Sequence, residues 1–390
     1  MNDASLGWRP EWMTDELDLL RDNVRRLIRE EMLPLDEKWR HQQHVDRNIW
    51  RRAGELGLLC MDIPAEYGGA GGDFRHEVVL YEELARHGIS GFGQGVHSIC
   101  AHYVLNHGTS EQKANYLPLL ASGEMVGAIG MTEPGAGSDL KGIRTRAHRD
   151  GDHYVVNGSK IFITNGKLAD LIALVVRAGD GNGSAGLSIL MVDTRGLDGY
   201  RVGRVLNKIG MHAQDTAELF FNDCRVPASC LLGAAAGRGM QQLMSDLPYE
   251  RAIIAVCAVG AMEGALAATL DYVTERRAFG QRIAEFQHSR FKLAELATQV
   301  RVARVFADRC IADVVAGRLD AAGAAMAKWW LTDLQQQVID QCLQFFGGYG
   351  YMDEYLIGRM YGDARVQRIY GGTNEIMKEV IARSLFREDA

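Results

Sequence analysis

Three short segments of this chain combine glycines with hydroxyls and carboxylates at spacings that could hold a ligand. In Gly130-Met-Thr-Glu-Pro-Gly-Ala-Gly-Ser-Asp139-Leu-Lys-Gly142, backbone N–H groups and hydroxyls can converge on a bound molecule without side-chain obstruction. An ordinary turn has the same composition. Gln344-Phe-Phe-Gly-Gly-Tyr-Gly-Tyr351 and Tyr370-Gly-Gly-Thr-Asn-Glu375-Ile each set glycines beside a helix terminus, where free N–H groups and the helix dipole favour an anion. A glycine after the last helical residue and a threonine N-cap would explain both as plain helix ends.

Other chemistries drop out. Gly181-x-Gly183-x-x-Gly186 has the letters of a dinucleotide fingerprint but leads into the strand Leu187–Val192, whereas phosphate binding needs a helix N-terminus there. It reads as a hairpin loop. No P-loop, H-E-x-x-H or G-x-S-x-G occurs, which removes the chemistries those motifs carry. His41-x-x-His44 has no carboxylate or cysteine at ligand spacing, so it reads as a solvated face and no metal site is expected.

The elements that must position these segments change character along the 390 residues, a length that suggests two to three domains. Residues 15–121 carry helix-period apolar stripes such as Leu17, Leu20, Val24, Leu27 and Ile28. From about 124 to 236 short apolar runs alternate with turn signals: Tyr154–Val156, Lys160–Thr164, Leu171–Arg177, Leu187–Asp193 and Glu218–Phe221. Asn157-Gly158, Asn165-Gly166 and Asn182-Gly183 read as hairpins between them, and the absence of intervening helices predicts an antiparallel β domain. Long helices follow over roughly 238–277, 285–316, 319–346 and 373–385, a four-helix bundle. The expected fold is therefore α+β multidomain: a helical domain over 1–123, a middle β domain over 124–236 and a C-terminal helical bundle over 237–390.

Composition narrows the partners. A formal charge of −7 argues against nucleic acid and anionic membrane, both of which need a basic footprint. Seven cysteines without a C-x-x-C suggest neither a disulfide framework nor a zinc ribbon, and fit a reducing cytoplasm. The N-terminus lacks the basic start and apolar run of a signal peptide. The longest apolar stretch, Ile253 to Met262, is about half a membrane span, so no membrane insertion is expected. Glycine is in excess at 44 residues, about 11 % where about 7 % is usual.

Taken in order, the motifs resemble the acyl-CoA dehydrogenase family over nearly the whole chain. The Met131-Thr-Glu-Pro-Gly-Ala-Gly-Ser-Asp loop, Lys160-Ile-Phe-Ile-Thr-Asn-Gly166, Arg276-Arg-Ala-Phe-Gly280 with Gln287, and Gln344-x-x-Gly-Gly-x-Gly-Tyr with Arg359 and Asp363 are all present. The wording around Lys208–Phe221 and Tyr370–Glu379 resembles the long-chain branch most. The resemblance implies FAD. It places Met131, Thr132 and Ser138 along the flavin and the CoA thioester, and Phe162 and Thr164 over the isoalloxazine ring. Arg276, Phe279 and Gln287, with Gln344 and Gly348, would hold the adenine–pyrophosphate part across a dimer interface, and Thr373 and Glu375 would meet the FAD end of the C-terminal helix. It also implies a homotetramer built as a dimer of dimers, with an electron transfer flavoprotein as acceptor.

Such enzymes take the α-proton of an acyl thioester with a carboxylate while the β-hydrogen leaves to the flavin. Many members carry that base directly after the Tyr of a Tyr-x-Gly-Thr motif. Here that residue is Gly371, which offers a backbone N–H to the thioester carbonyl but no base. A subset of the family, the long-chain and isovaleryl-type enzymes, takes the base from the first C-terminal helix, where this chain reads Leu247-Pro-Tyr-Glu250-Arg251. The resemblance thus implies Glu250 as a relocated base and Arg251 as an orienting, substrate-side residue. An acyl-CoA oxidase using oxygen and a non-catalytic FAD- or CoA-binding member are the competing expectations. Gly91, Gly93 and Gly95 are read as either opening a deep acyl tunnel or loosening a loop.

Overall fold

The computed structural model describes residues 8–178, 186–233 and 235–386. Its first part is helical: α1 (Asp15–Leu27), α2 (Asp36–Gln42), α3 (Arg47–Glu55), α4 (Phe74–Arg86), α5 (Gln94–His107) and α6 (Ser110–Ala121). Capping boxes start α4 at Asp73 and α6 at Thr109, so donors left free by the first turn are satisfied by side chains.

A seven-stranded sheet follows: β1 (Gly127–Gly130), β2 (Arg146–Asp150), β3 (His153–Thr164), β4 (Leu171–Arg177), β5 (Leu187–Asp193), β6 (Tyr200–Val205) and β7 (Thr216–Pro227). The antiparallel expectation holds for most pairs but not all. β1 runs parallel to β4 over Gly127–Gly130 and Leu171–Leu174, and β2 meets β4 in parallel at Arg146 and Arg177. β1 and β2 therefore run in the same direction along β4, and the segment from Met131 to Thr145, which contains the glycine-rich loop, joins them.

Two of the expected hairpins are corrected. Gly158 lies inside β3, at a bulge opposite β7. Its Asn157 partner exchanges hydrogen bonds with Asp223 across the strands, both at 2.9 Å. The tight β2–β3 turn is made instead at Gly151, φ +61°. Asn165-Gly166 ends β3 but does not pair it with β4; the buried Asn165 amide donates to the carbonyls of Gly93 (2.9 Å) and Gly127 (3.0 Å), tying α5 and β1 to the end of β3. Asn182-Gly183 and most of the Gly181–Gly186 segment lie outside the described residues.

The remaining elements are α7 (Gly239–Glu275), a two-stranded hairpin β8 (Arg277–Ala278) and β9 (Gln281–Arg282), α8 (Gln287–Val315), α9 (Ala321–Phe345), α10 (Leu356–Ala364) and α11 (Asn374–Leu385). The four long helices match expectation to within about two residues, and α10 is added to them. α7 is long and apolar enough to cross a membrane, yet most of its apolar window is buried in the bundle. Its small residues let α4 approach: a Cβ on Gly260 or Gly264 would collide with the backbone of Glu82 or Arg86. The buried Arg304 of α8 reinforces the crossing by pairing with Glu82 of α4 and, at 2.9 Å, Glu263 of α7.

Candidate active site

An apolar cavity of about 270 Å³ lies where α4, α5, α7 and α10 meet the ends of β1 and β3. Leu84, Ile89, Phe92 and Ile99 line one side and Ile253, Ile254 and Ala261 of α7 the other. The α4–α7 crossing is what places these walls opposite each other. Gly93 and Gly95 line it too, but Gly91 and Gly93 serve contact: a Cβ would run into Ala213 and into the Asn165 amide respectively.

Glu250 and Gly371, 121 positions apart, both face this cavity. Glu250 is 7 % exposed, two residues after Pro248, which removes one backbone donor from α7. Its Oε1 accepts a 2.8 Å hydrogen bond from the hydroxyl of Tyr103. Burial raises the Glu250 carboxyl to about 7; the Tyr103 hydroxyl and the Arg251 guanidinium work against that rise, and Asp246 adds to it. A carboxyl poised near neutrality, in an apolar cleft, suits proton transfer.

Gly371 sits at φ +65° and Gly372 at φ +89°, where a side chain strains the backbone. Two buried cations hold this loop. Arg251 Nε donates to the Gly371 carbonyl at 3.5 Å, and Lys328 Nζ of α9 donates to the Gly372 carbonyl and to Asn374 Oδ1, both at 2.8 Å. Thr373 caps α11, its hydroxyl accepting from the Ile376 N–H at 3.3 Å. Neither Lys328 nor Tyr103 belongs to a motif in the sequence; Tyr103 shares α5 with a polar stripe, His102, Asn106 and His107, that is the one signal pointing to it.

Phe162 and Thr164 stand on the cavity rim. Phe162 is 63 % exposed and held at φ +61°, at a register shift between Lys160 and Ile163. A large ring kept in a disfavoured backbone conformation beside an apolar cavity is a surface for a planar ligand to cover, so the rim fits a flavin. Below it, Lys160 and Glu133 form a buried ion pair at 2.9 Å. Lys160 also donates to the Met131 carbonyl at 3.1 Å, and Glu133 accepts the Arg144 and Thr145 N–H groups at 2.7 and 2.9 Å. That pair fixes the loop bearing Met131 and Thr132, which are half-buried, and Ser138, which is exposed. None of the three lines the cavity.

Arg276, Phe279, Gln287, Gln344 and Gly348 are exposed and gather elsewhere, roughly 39 Å along α7 from Glu250. Arg276 lies 5.7 Å from the ring of Tyr349, which joins the β8–β9 hairpin to the turn after α9. Phe279, 96 % exposed, is at the tip of that hairpin. Glu375 is exposed on the first turn of α11.

Family models for the N-terminal, middle and C-terminal domains of acyl-CoA dehydrogenases match residues 14–124, 128–224 and 237–386. The chain belongs to the acyl-CoA dehydrogenase family. It is similar to the mitochondrial long-chain specific acyl-CoA dehydrogenase of Rattus norvegicus, with 47 % identity over 95 % of this chain and 87 % of the relative. It is similar in structure to an acyl-CoA dehydrogenase from Geobacillus kaustophilus, with a TM-score of 0.94 and 43 % identity, covering 97 % of this chain and 100 % of the other. A structure described under the electron transferring flavoprotein of Acidaminococcus fermentans gives a TM-score of 0.92 and 36 % identity, covering 96 % and 99 %. Acyl-CoA dehydrogenases are FAD-dependent oxidoreductases of fatty acid metabolism, and this chain is one of them.

Proposed function

We propose that the chain converts a long-chain or branched acyl-CoA to its trans-2-enoyl-CoA, with Glu250 as the base. The observation carrying this reading is that Glu250 and the glycine at the position of the other family base meet in one cavity. Glu250 removes the α-proton while the Gly371 N–H, in a loop held by Arg251 and Lys328, polarises the thioester carbonyl where negative charge develops. The Phe162–Thr164 rim and the Met131–Ser138 loop would hold FAD, which would supply the hydride-accepting chemistry for the β-hydrogen. The apolar walls exclude water from the carbon atoms between.

Length supports a long acyl group. From Glu250 to Ala261 the cavity follows α7 for about 16 Å, room for roughly a dozen carbons of an extended chain. A glycine at 371 leaves space beside the α-carbon that also suits a branch. Ser138, exposed on its loop, is free to meet the CoA portion. Arg276, Phe279, Gln287, Gln344 and Gly348 would take the adenine end of a flavin whose ring lies in another subunit, within a dimer of dimers. The resemblance supports an electron transfer flavoprotein as acceptor, and seven cysteines without a C-x-x-C support a reducing compartment.

Glu250→Gln tests the base. It is expected to lower the rate of flavin reduction by acyl-CoA by about 10²- to 10⁴-fold, with FAD still bound. A near-normal rate would show that the base is elsewhere. Anaerobic titration of the yellow protein with straight and methyl-branched acyl-CoAs of four to eighteen carbons, read by flavin bleaching, tests the chain length; preference for the shortest would overturn it.

A further inference from the structure

We propose that Tyr103 is a positioning residue that pins Oε1 of Glu250 and leaves Oε2 as the atom that takes the substrate's α-proton. This inference rests on the reading of Glu250 as base. Tyr103 is fully buried on α5, and a buried phenol must find a partner; its hydroxyl donates to Glu250 Oε1 at 2.8 Å across 147 residues of sequence. A carboxylate bound through one oxygen has lost its freedom to rotate about the bond to the chain, so its second oxygen holds a fixed direction. In the transfer, the α C–H bond breaks, its proton forms a bond with Oε2, and the electron pair remains on the substrate.

The surroundings make this contact more than a packing detail. Asp246, one turn before Glu250 on α7, is occupied by α5: Asn106 Nδ2 donates to its Oδ1 at 2.9 Å, and His107 Nε2 lies 3.0 Å from its Oδ2. Arg251, the neighbouring cation, directs its Nε to the Gly371 carbonyl. From α5, Tyr103 is the donor to Glu250; the Gly371 loop brings Tyr370 to the same cavity, α4 brings Tyr81, α7 Cys257 and α10 Asp363, and burial pushes all four up from their ordinary range. A hydrogen bond from a neutral donor favours the carboxylate over the acid, so Tyr103 keeps a buried base usable near neutral pH.

The test is the pH profile of kcat/KM for Tyr103→Phe in the FAD-loaded enzyme. Losing a hydrogen bond to a charged group is expected to move the acid limb up by about one to two pH units, so that the variant at pH 6 is at least about tenfold slower than its own plateau predicts from the parent profile. The plateau falls less than the acid side. 3-Fluorotyrosine at position 103 keeps the ring in place and strengthens the donor, and is expected to move the limb down. A limb that stays put in both variants, or a uniform loss of rate at every pH, overturns the inference. Glu250→Gln separates the two readings: if it spares flavin reduction, the base is misassigned; if it abolishes reduction while the Tyr103 variants leave the limb unmoved, only the positioning role fails.

Discussion

At the scale of single residues, Gly371 and Glu250 form a complementary pair whose exchange is physically constrained. A Cβ at Gly371 would meet Cδ1 of Ile254, the flexible end of a side chain on the same wall as Glu250. The backbone there, at φ +65°, costs an L residue on the order of 1 kcal/mol. Moving the carboxylate with Glu250→Gly and Gly371→Glu is therefore expected to restore little activity alone. Adding Ile254→Ala clears the collision and should raise flavin reduction several-fold above the double variant, measured by stopped-flow with straight-chain acyl-CoA. Equal rates in the two would mean that backbone strain, not Ile254, is the obstacle.

At the scale of elements, the site is held by contacts between helices distant in sequence. Lys328, fully buried on α9, spans to the loop before α11 and holds Gly372 and Asn374. Burial lowers its ammonium to about 8, a sign of how little water reaches it. Lys328→Met leaves the Gly372 carbonyl without this donor, at a cost of roughly 1–3 kcal/mol, and lets the Gly371 N–H drift from the thioester carbonyl. We expect kcat to fall about tenfold or more with KM changed less, and the midpoint of urea unfolding to drop. Unchanged kcat would place the loop's rigidity in Arg251 alone. Three of the four expected helices, α7, α8 and α9, were legible in the sequence because runs of apolar and small residues with few breakers extend over 25 or more positions. The parallel β1–β4 pair was not, because four residues carry no periodicity. Asn157-Gly158 misled for a related reason: the same dipeptide that makes a hairpin also suits a bulge, and only the pairing of Asn157 with Asp223 decides between them. Glu250 was reached by way of the vacancy at Gly371, whereas Tyr103, Lys160 and Lys328 act through partners 27 to 147 residues away, contacts that no local pattern encodes.

For the whole molecule, the decisive feature is the separation between two sets of residues that a single flavin is expected to join. The Phe162–Thr164 rim borders the Glu250 cavity, while Arg276, Phe279 and Gln287 lie at the other end of α7, whose Arg276 end is roughly 39 Å along the helix from Glu250. Phe279 gains little from the described residues of its own chain: it is 96 % exposed, with the ring of Phe286 at 6.3 Å between centroids. Phe291, Val302 and Val305 on α8 and Leu385 at the end of α11 are exposed as well, more apolar surface than a lone chain keeps without cost. If a second copy supplies Phe279 and Arg276 to each flavin, then Phe279→Asp should disturb FAD retention without touching Glu250. The expected outcome is a protein of unchanged helical content that loses flavin on gel filtration, sediments as a smaller species, and regains flavin reduction by acyl-CoA when excess FAD is supplied. A Phe279→Asp protein that keeps its flavin and its assembly state would place the adenine end of FAD within a single chain.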